Sequence, residues 1–269
     1  MYSIEDNWDV NNRACHYGDG VFTTMRVASG DIDLLKYHQL RLINDSGVIG
    51  LPTPSQNVWD HASMLARQVE NGIVKIVLSA GSGGRGYHRP TTLAPTAHFF
   101  VSAVPASYEH LRNTGMRVVT SPIKLSSQPA LAGIKHLNRL EQVLIKNGLI
   151  GTHYDDALVF DFQNNLIEAS SANIFLLLEN KGWMTPQLTH CGVNGVQRAR
   201  LIDYFKHAGI PLQITNVSRQ DVQSASAVML TNAIMKCMPI SEWDDEGRCF
   251  DFDVHPVLQL SMTINGEGG

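Results

Sequence analysis

The chain has 269 residues, of which 43% are hydrophobic and 17% are charged, and its formal net charge is −4. This size predicts one large domain or two modest ones with a sizeable core, and the composition argues against long disordered segments. A slightly acidic chain without a cluster of Lys and Arg argues against nucleic acid or an anionic membrane as a partner, and no apolar run is long enough to span a bilayer.

The N-terminal segment and the cysteines indicate the compartment. The N-terminal residues MYSIEDNWDVNN are polar and acidic, and they lack the basic start and apolar core of a signal peptide. The cysteines lie far apart and form no CxxC pair, which argues against a zinc site and against a disulfide framework. We therefore expect a soluble, reduced protein in the cytoplasm.

The first part of the chain alternates between helical and strand patterns. Residues 34–48 and 56–70 carry apolar side chains at helical spacing, and Asn71-Gly72 ends the second helix. Runs rich in β-branched and aromatic residues predict strands at 18–27, 73–80 and 97–104.

A stretch rich in Pro, Ser, Asn and Gly divides the chain. We interpret residues 106–115 as a linker between a smaller N-terminal domain, 1–105, and a larger C-terminal domain, 116–269.

The second part mixes strands and helices without strict βαβ alternation. Helical spacing predicts helices at 136–149, where Leu137, Leu140 and Leu144 share a face, and at 196–209. Strands are predicted at 116–121, 157–161, 173–179 and 227–232. This order favours an α+β fold with mixed or antiparallel sheets. Residues 240–269 match no pattern, and the tail around Ile264-Asn265-Gly266 is expected to fray.

The run Gly81-Ser82-Gly83-Gly84-Arg85-Gly86 matches the G-x-G-x-x-G pattern of dinucleotide-binding loops. That pattern needs a following helix to hold the pyrophosphate, and the next residues, YHRPTT, cannot open one. We therefore reject the dinucleotide interpretation and predict a tight turn that borders a ligand through Arg85.

Lys135 and Glu168 are the strongest candidates for chemistry. Lys135 follows the apolar stretch LAGI, and a lysine in such surroundings loses solvation of its ammonium and can act as a nucleophile or base. The alternative is a lysine at a helix start whose amine reaches water. Glu168 precedes a run of small residues and could pair with a ring nitrogen, with Asn173 satisfying a buried neighbour. The alternative is an acid that caps a turn.

Three features suit an anion, and together they suggest a phosphate-bearing ligand. Arg41 shares a helix with His38, residues 192–196 open a helix whose free amides and dipole favour a phosphate, and Thr231-Asn232 forms a small polar turn after a strand. Each could equally be a surface arginine, a cap or a turn.

In the first strand, period-two alternation puts Thr24 and Arg26 on one face, where a hydroxyl and a guanidinium could serve a carboxylated substrate. Strand propensity and a surface ion pair are the alternative roles. The histidines show no metal-binding spacing, and no G-x-S-x-G elbow occurs, so metal and serine-hydrolase chemistry are disfavoured.

Taken in order, these segments resemble the fold-type IV pyridoxal phosphate enzymes, which include branched-chain and D-amino-acid aminotransferases and the aminodeoxychorismate lyases. The matching stretches are YGDGVFTTMRV, HQLRL, VLSAGSGGRGY, LAGIKHLNRLEQV, IEASSANIF, CGVNGVQR and LTNAIMKCMP, between residues 17 and 239. GSGGRGY and AGIKHLNRLEQV are most specific to the lyases, and the others are shared more loosely with the aminotransferases.

The resemblance implies a role for each matched residue. Lys135 matches the lysine that binds pyridoxal 5'-phosphate covalently and later moves protons, and Glu168 matches the acid paired with its pyridine nitrogen. Arg41 matches the phosphate-binding arginine, and Thr24 matches an active-site hydroxyl near the departing group. The other candidates are Val196, Gln197, Asn232 and Asn173 for the cofactor, and Arg26, Arg85 and Arg139 for substrate carboxylates.

The resemblance also implies a fold and an activity. The fold would be a two-domain α+β fold with the cofactor between the domains, in a homodimer whose sites are touched by the partner subunit. The activity would be lyase conversion of aminodeoxychorismate into 4-aminobenzoate and pyruvate, in folate biosynthesis. The alternatives are an aminotransferase acting on branched-chain or D-amino acids, and a noncatalytic phosphate- or nucleotide-binding protein.

Overall fold

The computed structural model describes residues 1–266, and the tail 267–269 lies outside the described part. The chain divides into two compact units. The first unit contains Met1–Val104 and the short segment Ile134–Arg139, and the second contains Pro105–Gly133 and the chain from Leu140 onward. The catalytic-lysine candidate therefore belongs to the first unit although it lies far along the sequence.

The first unit is one five-stranded sheet with helices. Its strand order is β1-β5-β4-β2-β3, with β2, β4 and β5 antiparallel and β1 parallel to β5. The strands are β1 (Ser3–Ile4), β2 (Gly20–Ala28), β3 (Asp31–Ile32), β4 (Gly72–Ser79) and β5 (Thr96–Ser102). The helices are α1 (Arg13–Tyr17), α2 (Leu35–Val48) and α3 (Gln56–Val69).

Strand β2 has two different faces because successive side chains point to opposite sides. Val21, Met25 and Val27 are fully buried and pack with residues of α2 and α3, such as Leu42 and Trp59. The alternate side chains from Phe22 to Arg26 are half-buried and form the opposite face. The predicted alternation of this strand is therefore confirmed.

The second unit is built on a larger sheet in the order β11-β10-β9-β13-β14-β6-β7-β8-β12, with β15 paired to β14. Its first strands are β6 (Met116–Thr120), β7 (Asp156–Phe160), β8 (Asn165–Ala169), β9 (Asn173–Leu178) and β10 (Gly182–Pro186). Its later strands are β11 (Leu212–Thr215), β12 (Val217–Ser218), β13 (Ala227–Asn232), β14 (Lys236–Asp245) and β15 (Arg248–Asp251). Its helices are α4 (Ser107–Thr114), α5 (Leu140–Gly148), α6 (Val196–His207), α7 (Arg219–Gln223) and α8 (His255–Gly266).

The expected α+β class is confirmed, but the segment predicted as a linker is not extended. Residues 107–114 form α4, and Tyr108 and Leu111 pack against the main core of the second unit. The segment is helical because two apolar side chains one turn apart are enough to pack a short polar helix against the core. The turn-forming residues that suggested a linker lie at the ends of this helix.

The predicted helix at 136–149 begins only at Leu140. His136 and Leu137 bond to strand β2 instead, so their backbone groups are already used by the first unit. Leu137 therefore lies outside the helix, while Leu140 and Leu144 share an exposed face of α5 and Ile145 is its buried residue.

The tail that was expected to fray is helical as far as Gly266. Val257 and Ile264 of α8 pack with Phe175 and Phe205 in a second core cluster, and this contact stabilises the helix. Within the described residues, no helix combines the length and hydropathy needed to cross a bilayer.

Candidate active site

The segment that carries Lys135 lies along the edge of strand β2. The main-chain N–H of Phe22 donates to the carbonyl of Lys135 at 3.0 Å, and the N–H of Leu137 donates to the carbonyl of Gly20 at 3.0 Å. Gly20 allows this approach, because a Cβ there would meet the Leu78 carbonyl oxygen at 2.3 Å and the Leu137 side chain at 2.8 Å. The lysine backbone is therefore fixed by a strand-like ladder.

Two side chains hold the same segment. The carboxylate of Asp45, on α2, accepts a hydrogen bond from the main-chain N–H of Lys135 at 2.9 Å, and Asp45 is only 2% exposed. Arg139 donates from Nε to the His136 carbonyl at 3.0 Å and from its terminal nitrogen to the Ile134 carbonyl at 2.8 Å. Arg139, expected at a substrate carboxylate, thus clamps the backbone around Lys135.

The Lys135 amine lies on the half-buried face of β2. Its Nζ is 4.5 Å from the centre of the Phe22 ring. Thr24 and Arg26 follow Phe22 at alternate positions, so a hydroxyl, a guanidinium and the amine share this face. Nη1 of Arg26 is buried without a hydrogen-bond partner among the described residues.

Arg41 lies on the opposite, helix-covered side of β2. Its guanidinium donates to the hydroxyl of Thr23, which also contacts Nδ1 of His38 at 2.6 Å. The Thr23 hydroxyl thus links Arg41 to His38 on this side of the strand. Burial, together with the charge of Arg41, lowers the pKa of His38 well below its ordinary value, so this imidazole is neutral.

The Arg41 guanidinium keeps unused hydrogen-bonding capacity. Its Nε is buried without a partner among residues 1–266, and burial lowers the pKa of Arg41 to about 10, opposed by the nearby Asp45 carboxylate. A buried donor without an acceptor is costly, so the site suits an anionic ligand.

In the second unit, Glu168 is the penultimate residue of β8, and the residue is 5% exposed. One carboxylate oxygen accepts from the main-chain N–H of Val193 at 2.8 Å, and the other lies 3.5 Å from the amide nitrogen of Gln142. Gly192 permits this approach. It has φ +84°, and a Cβ there would meet Ile167 at 2.8 Å. Glu168 is therefore a buried carboxylate with a fixed orientation.

Asn173 holds the loop that leads into α6. Its amide donates to the Val193 carbonyl at 2.7 Å and its oxygen accepts from the Gly195 N–H at 3.0 Å. Gly195 is required for this contact, because a Cβ would lie 2.2 Å from that oxygen. Asn173 therefore positions this loop, and its role at the cofactor stays a prediction.

The first turn of α6 has the features of an anion site. Its N-cap, Gly195, provides no side-chain cap for the helix amides at Val196 and Gln197. The carbonyl oxygen of the Gln197 side chain and the hydroxyl of Thr231 are buried without partners in the described chain. Asn232 uses its side-chain oxygen on the N–H groups of Ile234 and Met235, so it shapes the turn instead of offering that oxygen to a ligand.

The glycine run forms a short hairpin-like loop, and no helix follows it, as predicted. Arg13, only 3% exposed, binds the loop from inside by donating to the carbonyls of Gly83, Gly86, Tyr87 and His88. Arg85 itself is exposed. The sequence gives no signal for Arg13, because it lies far from the loop along the chain.

Asp45 is a further residue that sequence reasoning did not single out, although it lies one helical turn after Arg41. Across residues 1–266 no cluster of His, Cys, Asp and Glu has the geometry of a metal site. The functional groups are therefore an amine, a buried carboxylate and partly satisfied anion-binding groups.

A family model described as amino-transferase class IV matches residues 20–243. The chain belongs to this family. Among curated class IV relatives, it is 31% identical to the aminodeoxychorismate lyase of Vibrio harveyi over 258 residues, which cover 96% of this chain and 94% of the relative.

Solved structures agree with this assignment. The 4-amino-4-deoxychorismate lyase of Pseudomonas aeruginosa superposes with a TM-score of 0.91 at 28% identity, covering 98% of this class IV chain and 96% of the other. A hypothetical aminotransferase from Mycobacterium tuberculosis, solved in a PLP-bound form, has a TM-score of 0.83 at 19% identity, with coverage of 97% and 93%. This second likeness shows a shared fold.

Proposed function

We propose that this chain is a pyridoxal phosphate-dependent aminodeoxychorismate lyase that converts 4-amino-4-deoxychorismate into 4-aminobenzoate and pyruvate. The observation that carries the proposal is the 31% identity to a named lyase over nearly the full length of both chains. The structural likeness to a second named lyase at 28% identity supports it.

The donor set fits pyridoxal 5'-phosphate. The Lys135 amine suits the aldehyde, and the buried Glu168 carboxylate suits the pyridine nitrogen. The partnerless Nε of Arg41 and the uncapped main-chain amides at the start of α6 are donors that bind a phosphate.

When bound, this cofactor withdraws electrons from the substrate carbon next to its nitrogen. The Lys135 amine removes the proton from ring carbon C4, the bond from C3 to the enolpyruvyl oxygen breaks, and the ring becomes aromatic. Thr24 or Lys135 supplies the proton that turns the departing enolpyruvate into pyruvate. Glu168 keeps the ring nitrogen protonated throughout. A positioned acid–base group of this kind contributes about 10²–10⁴-fold to a rate.

We further propose a cytoplasmic homodimer that works in folate biosynthesis. Helix α5 supports the dimer, because Leu140, Val143 and Leu144 are at least half exposed and occupy one face by their spacing. Exposed apolar groups of this size are characteristic of protein interfaces. The exposed Leu40 and Ile43 of α2 form a second apolar strip in the other unit.

The test is Lys135→Ala, assayed for 4-aminobenzoate and pyruvate formation. We expect loss of activity, loss of the visible absorbance of the bound cofactor, and no borohydride-fixed label on the peptide that contains residue 135. Lys36→Ala removes an exposed lysine from the same unit and serves as the control. A coloured, active Lys135→Ala enzyme would refute the assignment. A wild-type enzyme that transfers amino groups to 2-oxo acids but makes no 4-aminobenzoate would be the aminotransferase instead.

A further inference from the structure

The guanidinium of Arg13 is a buried charged group that the proposed mechanism does not use. Arginine carries five N–H donors in a planar fork. In Arg13, Nε binds the Asp19 carboxylate at 2.8 Å, and the two terminal nitrogens lie 3.0–3.3 Å from four carbonyl oxygens within residues 83–88, here called the glycine loop. A side chain that commits its terminal nitrogens to one short segment fixes the path of that segment.

Asp19 connects this clamp to the rest of the first unit. Its carboxylate binds Arg13 and also accepts from Nε of Arg89 at 2.9 Å and from a terminal nitrogen of that arginine. Arg89 in turn donates to the carbonyls of Ile49 and Gly50, just after α2, at 2.7 and 3.2 Å. Burial alone would raise the pKa of Asp19, but the hydrogen bonds from Arg89 and Arg13 outweigh burial and lower it, so the carboxylate is ionised at neutral pH.

The glycine loop closes around Arg13 because of its own sequence. Gly84 has φ +82°, and a Cβ there would lie 2.1 Å from the His88 carbonyl oxygen and 3.2 Å from Nη1 of Arg13. The guanidinium carbon of Arg13 also lies 4.8 Å from the centre of the Tyr17 ring, and that ring meets Tyr87 edge-on at 5.5 Å. Hydrogen bonds and ring contacts therefore order the loop together.

The ordered loop presents a cation to solvent. Arg85 is exposed, and within the described chain it takes part in no ion pair. An arginine fork suits a carboxylate, because two parallel hydrogen bonds form at once. A flexible loop loses conformational entropy whenever such a bond forms, whereas a loop that is ordered in advance does not.

We propose that Arg13 is a positioning residue for substrate binding, which orders the glycine loop in advance so that Arg85 can bind a carboxylate of the dicarboxylic substrate. The inference rests on the proposed function and on the predicted role of Arg85, and it names the residue through which that role is achieved. Arg13 acts indirectly, because it is only 3% exposed and its nitrogens bind the loop and Asp19.

The experiment measures binding of chorismate to the holoenzyme by titration calorimetry. Chorismate has the two carboxylates of the substrate but a hydroxyl in place of the amino group, so it reports carboxylate recognition without turnover. We expect Arg13→Gln to weaken the dissociation constant about 10-fold or more, because the backbone entropy of a single ordered residue corresponds to about that factor. Arg67→Gln removes an exposed arginine of α3 and should leave the constant unchanged.

A double-mutant cycle with Arg85→Gln tests whether Arg13 acts through Arg85. If it does, the double variant binds chorismate no more weakly than Arg85→Gln alone, so the two effects are strongly non-additive. Additive effects, or an unchanged constant in either single variant, overturn the inference. For turnover by Arg13→Gln, we expect KM to rise while kcat and the cofactor spectrum stay nearly constant.

A merely structural role for Arg13 predicts a different pattern. The urea midpoint and the yield of folded enzyme would then fall, but folded Arg13→Gln would bind chorismate with the wild-type constant. Should this variant fail to fold, Gly84→Ala disturbs the loop from its own side and replaces it in the cycle.

Hydrogen exchange gives a readout that does not depend on activity. We expect the amides of residues 82–90 in Arg13→Gln to take up deuterium faster, with other peptides of the chain unchanged. Uptake equal to that of the wild type would show that the loop is ordered without Arg13 and would overturn the inference.

Two outcomes separate this inference from the proposed function. If wild-type enzyme makes no 4-aminobenzoate, the proposed function fails whatever Arg13 does. If wild-type enzyme makes it and Arg13→Gln binds chorismate as the wild type does, only the inference fails.

Discussion

Removing the carboxylate of Asp45 should destabilise the segment that carries Lys135. Asp45 is 2% exposed and accepts the main-chain N–H of Lys135 at 2.9 Å. In Asp45→Ala this buried N–H loses its acceptor, which costs about 1–3 kcal/mol. Arg41 also loses a nearby negative charge. We expect a total loss of about 2–4 kcal/mol, a large fraction of the roughly 5–15 kcal/mol typical of a folded domain.

Asp45→Asn separates the hydrogen bond from the charge. The amide oxygen can still accept from Lys135, and only the charge is lost. Burial raises the pKa of Asp45, which means that the buried carboxylate is itself costly to keep ionised. We therefore expect the Asn variant to lose only about 1 kcal/mol, clearly less than the Ala variant.

The assay is urea unfolding of the apoprotein, with the midpoint and slope measured for each variant. Asp60→Ala is the control, because Asp60 lies on the exposed surface of α3, where a change costs less than about 0.5 kcal/mol. Equal losses for Asp45→Ala and Asp60→Ala would show that the contact to Lys135 contributes nothing. An Asn variant as unstable as the Ala variant would assign the effect to charge.

Two further predictions concern His136 and the loop before α6. Burial, with Arg139 and Lys135 adding to it, lowers the pKa of His136 to about 4, so the unfolded chain takes up the proton first as the pH falls below about 6.5. The free energy of unfolding therefore decreases as the pH falls between those two values. Because the imidazole is only half-buried, we expect His136→Asn to remove about 1–2 kcal/mol of the decrease between pH 7 and pH 5. Parallel pH slopes in urea titrations of variant and wild type would contradict this. Gly195→Ala puts a Cβ 2.2 Å from the side-chain oxygen of Asn173, so it should break the hydrogen bond between that oxygen and the main-chain N–H of residue 195 and weaken cofactor binding about 10-fold or more. Gly148→Ala is the control, because its Cβ meets nothing within 4 Å. Equal cofactor dissociation constants for the two variants, measured by equilibrium dialysis, would refute the role of the loop.

The elements with strong periodicity could be predicted from the sequence. Helices α2 and α3 and strands β2, β4 and β5 lie almost where their patterns place them, because each buries one regular face in the first unit. The alternation of β2 also placed Thr24 and Arg26 together correctly. The hydrophobic periodicity is sufficient to predict an element wherever the apolar face it defines is the face buried in the core.

The roles of several site residues depend on contacts that the sequence does not reveal. His136 and Leu137 fit the helical spacing, yet they pair with β2, a partner more than a hundred positions away. Arg139 has the charge of a substrate-binding residue, and two of its N–H groups bind backbone carbonyls next to Lys135. Asn173 acts on a loop about twenty residues later. In each case a long-range contact decides between roles that local chemistry leaves equally open.

The two adjacent threonines of β2 show how the fold separates the functions of the site. Thr23 points to the helix side, where it binds Arg41, and Thr24 points to the opposite face, opposite Lys75. Because the side-chain period of a strand is two, a slip of one residue between β2 and β4 would exchange these faces. Thr24 would then meet Arg41, and the apolar Val21 and Met25 would replace the polar face beside the amine. The long antiparallel pairing of β2 with β4, from Gly20 to Val27, prevents that slip and so keeps the anion-binding arginine and the reactive lysine on their own sides of one strand.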